Sequence, residues 1–197
     1  MKVGLLGGTF NPPHLGHLVC AQEAHAQLGL DRVVFMPVFA PPHKEAERDP
    51  GVEHRVALCQ RAVAGDARFS VSRLEADTPG RSYTLDTLSR LHESTPEDEL
   101  TFIVGGDMAY SLPTWHEPEA VLSLATMAVA EREGVGRTDI TERLAGLAGA
   151  EKIRFFDMPR IDISSSLIRR RVAADLPIRY LVPDAVADYI AAEGLYR

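Results

Sequence analysis

Short apolar runs bounded by turn residues alternate along this chain with longer stretches whose apolar positions recur at three- and four-residue spacing. Residues 3–6 form the first run and lead into Gly7-Gly8. Residues 15–28 then read as a helix stopped by Gly29, a residue suited to the left-handed end of a helix. Residues 32–38 are a second strand, short and β-branched. Asp49-Pro50 predicts an N-cap followed by a first-turn proline, opening a helix over 51–64 with Val56, Leu58, Cys59 and Val63 on its apolar side. Strands are predicted at 69–72, 100–104, 125–130 and 152–156. Helices are predicted from Ser82, at 108–112, at 140–147, after Ser164-Ser165-Ser166 and at 185–192. Strands alternating with helices predict an α/β fold, a doubly wound Rossmann-like and mostly parallel sheet flanked by helices. No linker, repeat or low-complexity segment interrupts it, so residues 1–197 are expected to be a single domain.

Composition narrows the function classes. The chain has 197 residues, of which 45% are hydrophobic and 25% charged, enough to bury a sizeable core. No apolar run approaches the ~18 residues of a membrane span, and the first run sits too close to the glycine turn for a signal peptide. A cytoplasmic protein without a membrane partner is expected. A net charge of −7 disfavours a broad nucleic-acid face, so any anion site must be local. Cys20 and Cys59 fall in helical patterns and read as small buried hydrophobes in a reducing compartment.

One such local site is written into Gly7-Gly8-Thr9-Phe10-Asn11-Pro12-Pro13-His14-Leu15-Gly16-His17. A strand, a glycine turn and a helix start bring backbone N–H groups to an anion, and glycine lets the backbone approach without a Cβ in the way. His14 and His17 are three residues apart and can share one face at the helix start. No Cys, Asp or Glu stands beside them at ligand spacing, which disfavours a metal pair. The Pro41-Pro42-His43-Lys44 loop leaves the second strand at its carboxyl end, where ligands of open α/β sheets sit. Gly105-Gly106-Asp107 leaves the strand at 100–104 in the same way, with Asp107 a candidate N-cap. Trp115, the only tryptophan, lies in a proline-containing loop. In Ile161-Asp162-Ile163-Ser164-Ser165-Ser166-Leu167-Ile168-Arg169-Arg170-Arg171, Ser166 and Arg169 share a face at a helix N-terminus, whose free N–H groups and dipole favour an anion. Arg170 and Arg171 read as structural or solvent-facing.

These motifs, in this order from residue 1 to 197, resemble the nicotinate mononucleotide adenylyltransferases of the nucleotidyltransferase superfamily with an H-x-G-H core, here His14-Leu15-Gly16-His17. The resemblance implies joining ATP and nicotinate mononucleotide to give nicotinate adenine dinucleotide and pyrophosphate, a step of NAD synthesis. It assigns catalysis to His14, His17, Lys44 and Arg169. ATP is implied to contact Gly8, Thr9, Phe10, His14, His17, Asp107, Ser166 and Arg169. Nicotinate mononucleotide is implied to contact Thr9, Lys44, Tyr83, Thr84, Trp115, His116 and Arg132, with the tryptophan stacked on the pyridine ring. Mg²⁺ is expected to be held mainly through phosphates and water, with no protein metal cage. Three positions depart from the family pattern: Asn11 stands where aspartate is frequent, Glu133 where proline follows the arginine, and Ser166 where threonine is common. Asn11 is expected to be structural. Other acceptors, such as nicotinamide mononucleotide or phosphopantetheine, and a non-catalytic nucleotide-sensing module are the competing readings. The oligomeric state is left open.

Overall fold

The structure is a computed structural model and describes residues 1–40, 48–80, 82–131 and 136–197. Six strands form one sheet: β1 (Lys2–Gly8), β2 (Arg32–Pro37), β3 (Phe69–Val71), β4 (Glu99–Gly105), β5 (Thr126–Glu131) and β6 (Arg154–Asp157), in the order β3-β2-β1-β4-β5-β6. The pairs β1–β4, β4–β5 and β5–β6 run parallel, with Leu5 opposite Phe102, Ile103 opposite Ala128 and Val129 opposite Phe155. Helices connect the strands: α1 (Leu15–Leu28), α2 (Val52–Val63), α3 (Thr84–Ser94), α4 (Gly106–Tyr110), α5 (Pro118–Leu124), α6 (Arg137–Leu144), α7 (Ser165–Ala173) and α8 (Asp184–Ala192). This is the doubly wound α/β architecture the alternation predicts. The strand order reverses at β1, and in such sheets ligands gather at the carboxyl end of the reversal point. The Gly8–His14 segment leaves β1 at that end.

By backbone contacts the chain divides into two compact units. The first comprises Met1–Gly7, Cys20–Val34 and Tyr83–Arg160; the second comprises Gly8–Val19, Phe35–Ser82 and Ile161–Arg197. In the first, Leu112, Leu122, Met127, Val129 and Ile140 bury their side chains together around β4 and β5. The side-chain amide of Gln27 pairs with the backbone of Asp157 on the edge strand, donating to its C=O (2.7 Å) and accepting from its N–H (3.0 Å). In the second, Leu58 of α2, Ile168 of α7 and Val186 and Ile190 of α8 close a core of their own.

Several boundaries depart from the sequence reading, each for a local reason. The helix after Asp49-Pro50 starts at Val52, its N-cap is Gly51 and no side chain caps it. The Asp49 carboxylate instead accepts the Gly51 N–H and the Arg55 Nε–H, both at 3.0 Å. Asp107 is not an N-cap either: α4 begins at Gly106 with Gly105 in the cap position, and the exposed Asp107 lies in the first turn. The helix predicted from Ser82 starts at Thr84, with Tyr83 as its cap residue and no side-chain cap. The helix predicted at 140–147 runs three residues earlier, because the Asp139 carboxylate accepts the Gly136 N–H at 3.3 Å and closes its start. α5 is absent from the sequence reading altogether. Pro118 at its first position, with Val121 and Leu122 buried, is the signal that marks it. Cys20 and Cys59 lie in α1 and α2 as expected, and burial pushes the Cys59 thiol well above its ordinary pKa.

The most consequential buried group of the second unit is charged. Arg55 of α2 is 0% exposed. Its guanidinium donates to Thr9 O (3.1 Å), Val38 O (2.7 Å), Phe39 O (2.7 Å) and the Asp49 carboxylate (3.0 Å). A buried charge is tolerable only with such complete pairing. Arg55→Met keeps the bulk and strands Asp49 and three backbone carbonyls, an expected cost of about 3–5 kcal/mol, the scale for breaking one side of a buried ion pair. That corresponds to a fall in melting temperature of roughly 6–20 °C for a chain of this size. Thermal and urea unfolding measure it; an unchanged urea midpoint would show that Arg55 does not anchor these segments.

Candidate functional site

The first loop is fastened from two sides within the second unit. Arg55 grips its start at Thr9 O. From α7, Arg169 Nη1 donates to Asn11 O (2.9 Å) and Ser165 Oγ to Pro12 O (2.8 Å). The Asn11-Pro12 peptide is cis, and Phe10 has φ 50°. Phe10 is buried, its ring packed on Phe35 (5.6 Å) and edge-on to His17 (5.0 Å), so its contribution to the loop is its backbone. Gly8 lies under that ring: a Cβ there would meet Phe10 carbons at 3.2–3.4 Å. Asn11 is 3% exposed, and both polar atoms of its side chain lack a hydrogen-bond partner among the described residues. An aspartate in that place would bury a charge rather than a neutral amide, which gives the departure at Asn11 a physical sense.

The two histidines form a stacked pair. Their rings are 3.8 Å apart at 30°, and His14 is 8% exposed. The His14 backbone N–H donates to His17 Nδ1 at 3.1 Å. That bond requires Nδ1 to be the acceptor, so the proton of the neutral ring sits on Nε2, which is left as a donor. The His14 carbonyl closes the first turn of α1 by accepting from His17 N (2.9 Å), and Leu181 O takes the Leu15 N–H (3.1 Å). Gly16 explains the glycine between the histidines: a Cβ there would press on His14 Cε1 and Nδ1 at 3.1 Å.

On α7 the three serines divide the work. Ser164 is the N-cap, its Oγ accepting from Leu167 N at 3.2 Å. Ser165 holds Pro12, and Ser166 Oγ accepts from Arg169 Nη2 at 3.3 Å. A guanidinium carries more N–H groups than the two bonds Arg169 makes here, so it can hold the loop and still present donors. Gly8, Thr9, Phe10, His14, His17, Ser166 and Arg169 thus belong to one interlocked set.

The other predicted residues described lie in the first unit. Tyr83 is exposed, with its ring 5.3 Å from that of His116. Thr84 opens α3, whose first turn has no side-chain cap and so keeps N–H groups for another acceptor. His116 Nε2 lies 3.4 Å from the Glu117 carboxylate, and Glu117 has φ 47° at the start of α5. Trp115 is half-buried and packs edge-on against Phe102 (6.1 Å, 85°). Its indole N–H donates to Ser111 Oγ (3.0 Å), which itself donates to Met108 O (2.8 Å). The indole plane is therefore fixed by a side chain the sequence reading passed over. Asp107 is exposed on α4. Lys44 and Arg132 lie outside the described residues.

Arg55, Ser165, Gly16 and Ser111 were missed as determinants of these arrangements. For Arg55 a signal existed: with Leu58, Cys59 and Ala62 it occupies one helical stripe, an arginine on the apolar face of α2. Ser111 carries no comparable signal.

Comparison with known proteins places these arrangements. The sequence model described as cytidylyltransferase-like matches residues 5–171. A Trichlorobacter lovleyi protein named "Probable nicotinate-nucleotide adenylyltransferase" is 42% identical over 100% of both chains. A Thermomicrobium roseum protein of the same name is 41% identical over 100% of this chain and 92% of its own. Among solved structures, Plasmodium falciparum nicotinic acid mononucleotide adenylyltransferase complexed with NaAD superposes with a TM-score of 0.77 at 17% identity, covering 99% of this chain and 97% of that one. At that identity the likeness is one of fold. The sequence matches go further, and the chain belongs to the cytidylyltransferase-like family and, within it, to the nicotinate-nucleotide adenylyltransferases.

Proposed function

We propose that the protein transfers the adenylyl group of ATP to nicotinate mononucleotide. A 5′-phosphate oxygen of the mononucleotide attacks the α-phosphorus of ATP in line. The bond from that phosphorus to the oxygen bridging to the β-phosphate breaks, and pyrophosphate leaves with the bonding electron pair. The products are nicotinate adenine dinucleotide and pyrophosphate. The observation that carries this reading is the His14–His17 pair, in which a backbone N–H occupies His17 Nδ1 and leaves Nε2–H as a fixed donor in the anion loop. Such transfers need no enzyme nucleophile; positioning and stabilisation of developing charge supply the rate.

On this reading His17 donates to the α-phosphate and His14 to a neighbouring phosphate oxygen. Ser166 and Arg169 bind the polyphosphate, Lys44 adds a positive charge, and the Gly8–Phe10 backbone lies along the nucleotide. Asp107 serves the adenosine. The acceptor's ring stacks on Trp115 beside Tyr83 and His116, its carboxylate meets the N–H groups at Thr84, and Thr9 and Arg132 hold its other polar groups. Mg²⁺ would be held through phosphate oxygens and water, the ligands that ion favours. When bound it offsets the polyphosphate charge. A cytoplasmic location suits the water-soluble substrates; separately, no helix among the described residues is long and apolar enough to cross a membrane.

The direct test is pyrophosphate release with ATP and Mg²⁺ against nicotinate mononucleotide, nicotinamide mononucleotide and phosphopantetheine. Strong preference for the first is expected, and preference for phosphopantetheine would overturn the acceptor. His17→Ala should lower kcat by more than about 100-fold, the scale for one lost charge-stabilising donor; a near-normal kcat would remove His17 from the mechanism. Ser111→Ala frees the indole N–H of the only tryptophan. Its fluorescence should shift, and KM for nicotinate mononucleotide should rise roughly 2–10-fold with kcat little changed, the worth of one hydrogen bond. A shifted spectrum with unchanged KM would mean that Trp115 orientation does not matter to the acceptor.

A further inference from the structure

We propose that the amide of Asn11 and the phenol of Tyr196 share one internal water, which ties the segment following α8 to the anion loop. Both side chains belong to the second unit, Asn11 at 3% exposure and Tyr196 at 5%. Oδ1 and Nδ2 of Asn11 and the phenol oxygen of Tyr196 are buried without a hydrogen-bond partner among the described residues. Buried polar groups are nearly always paired, and leaving one unpaired is costly. A leucine would fill the place of Asn11 without that cost, so the amide calls for a partner.

Arg169 brings the two side chains into one neighbourhood. Its Nη1 donates to the Asn11 carbonyl at 2.9 Å, which places the guanidinium beside the residue whose amide is unpaired. Tyr196 packs in the core that contains Ile168, the residue before Arg169, and its own carbonyl accepts from Arg48 Nη1 at 2.9 Å. Burial raises the pKa of its phenol, and the charge of Arg169 acts on that phenol ahead of those of Asp49 and Arg55. Arg55 in turn bonds Thr9 O, two residues before Asn11, at 3.1 Å. The same two guanidinium groups therefore border both side chains.

The orphaned atoms point to the ligand. Oδ1 of Asn11 needs a donor, Nδ2 needs an acceptor, and a phenol can serve as either. A halide accepts but cannot donate, and a metal cation would be repelled by the two guanidinium groups. Water does both, and an internal water typically makes about three hydrogen bonds, one for each of these atoms. It would fix the Asn11 side chain, whose backbone carbonyl holds Arg169. That makes Tyr196 a positioning residue for the loop proposed above to bind ATP.

A high-resolution crystal structure of the ligand-free protein should show a water within about 2.7–3.2 Å of both the Asn11 amide and the Tyr196 phenol. A site without density, or a direct bond between the two side chains, would overturn the proposal. Urea and thermal unfolding of Asn11→Leu, Tyr196→Phe and the double variant test it in solution. Each single variant should melt roughly 2–10 °C lower, the scale of a buried polar group losing its bridge. The double variant should fall by less than the sum, because both single changes release the same water. Additive losses, or an Asn11→Leu protein as stable as the wild type, would overturn the shared site. On the proposed function, Tyr196→Phe should raise KM for ATP about 2–10-fold and leave KM for nicotinate mononucleotide unchanged; an unchanged KM for ATP would overturn the positioning role. The density and the unfolding do not depend on adenylyl transfer, so a protein that holds the water but transfers nothing keeps this site and loses the function.

Discussion

The anion loop of the second unit depends on one buried arginine. Backbone that leaves a strand without entering another element has carbonyls that need partners, and at Thr9, Val38 and Phe39 they would otherwise be lost to the interior. Arg55 satisfies all three and is itself neutralised by Asp49. The same contacts fix the chain where it leaves β1 and where it leaves β2. A lysine could match the charge but not the fork of donors. The cost of burying the guanidinium is met by a geometry in which a loop of prolines and a cis peptide has a single well-determined path.

That path matters because the chemistry asks for little else. Arg55 holds the start of the loop, Arg169 and Ser165 hold its middle, and the His14 N–H selects the tautomer of His17. Gly16 leaves room for the His14 ring, which a Cβ there would meet at 3.1 Å. The result is a donor aimed before any substrate arrives, which is how electrostatic stabilisation avoids reorganisation during the reaction. In the first unit the same principle recurs on a smaller scale, where Ser111 orients Trp115.

What could be read in the sequence, and what could not, follows from the range of the interactions. The strand–turn–helix around Gly7-Gly8, the whole of α1 and the capped start of α7 are set by neighbours in sequence, and they were legible. The purposes of Asp49 and Arg55 were not, because their partners at Thr9 and Val38 become neighbours only in the fold; Asp49-Pro50 looked like a helix cap for want of that knowledge. The division of labour among Ser164, Ser165 and Ser166 was invisible for the same reason, since the acceptor of Ser165 is 153 residues away. α5 was overlooked although its proline signal was present.

The central claim is that the folded loop fixes His17 as an Nε2–H donor in advance of substrate. Long-range ¹H–¹⁵N correlation spectra of the histidine rings measure this directly in the ligand-free protein. The account predicts an unprotonated Nδ1 and a protonated Nε2 for His17, with that preference lost in Arg55→Lys as the loop loosens. A protonated Nδ1 on His17 in the wild type would contradict it.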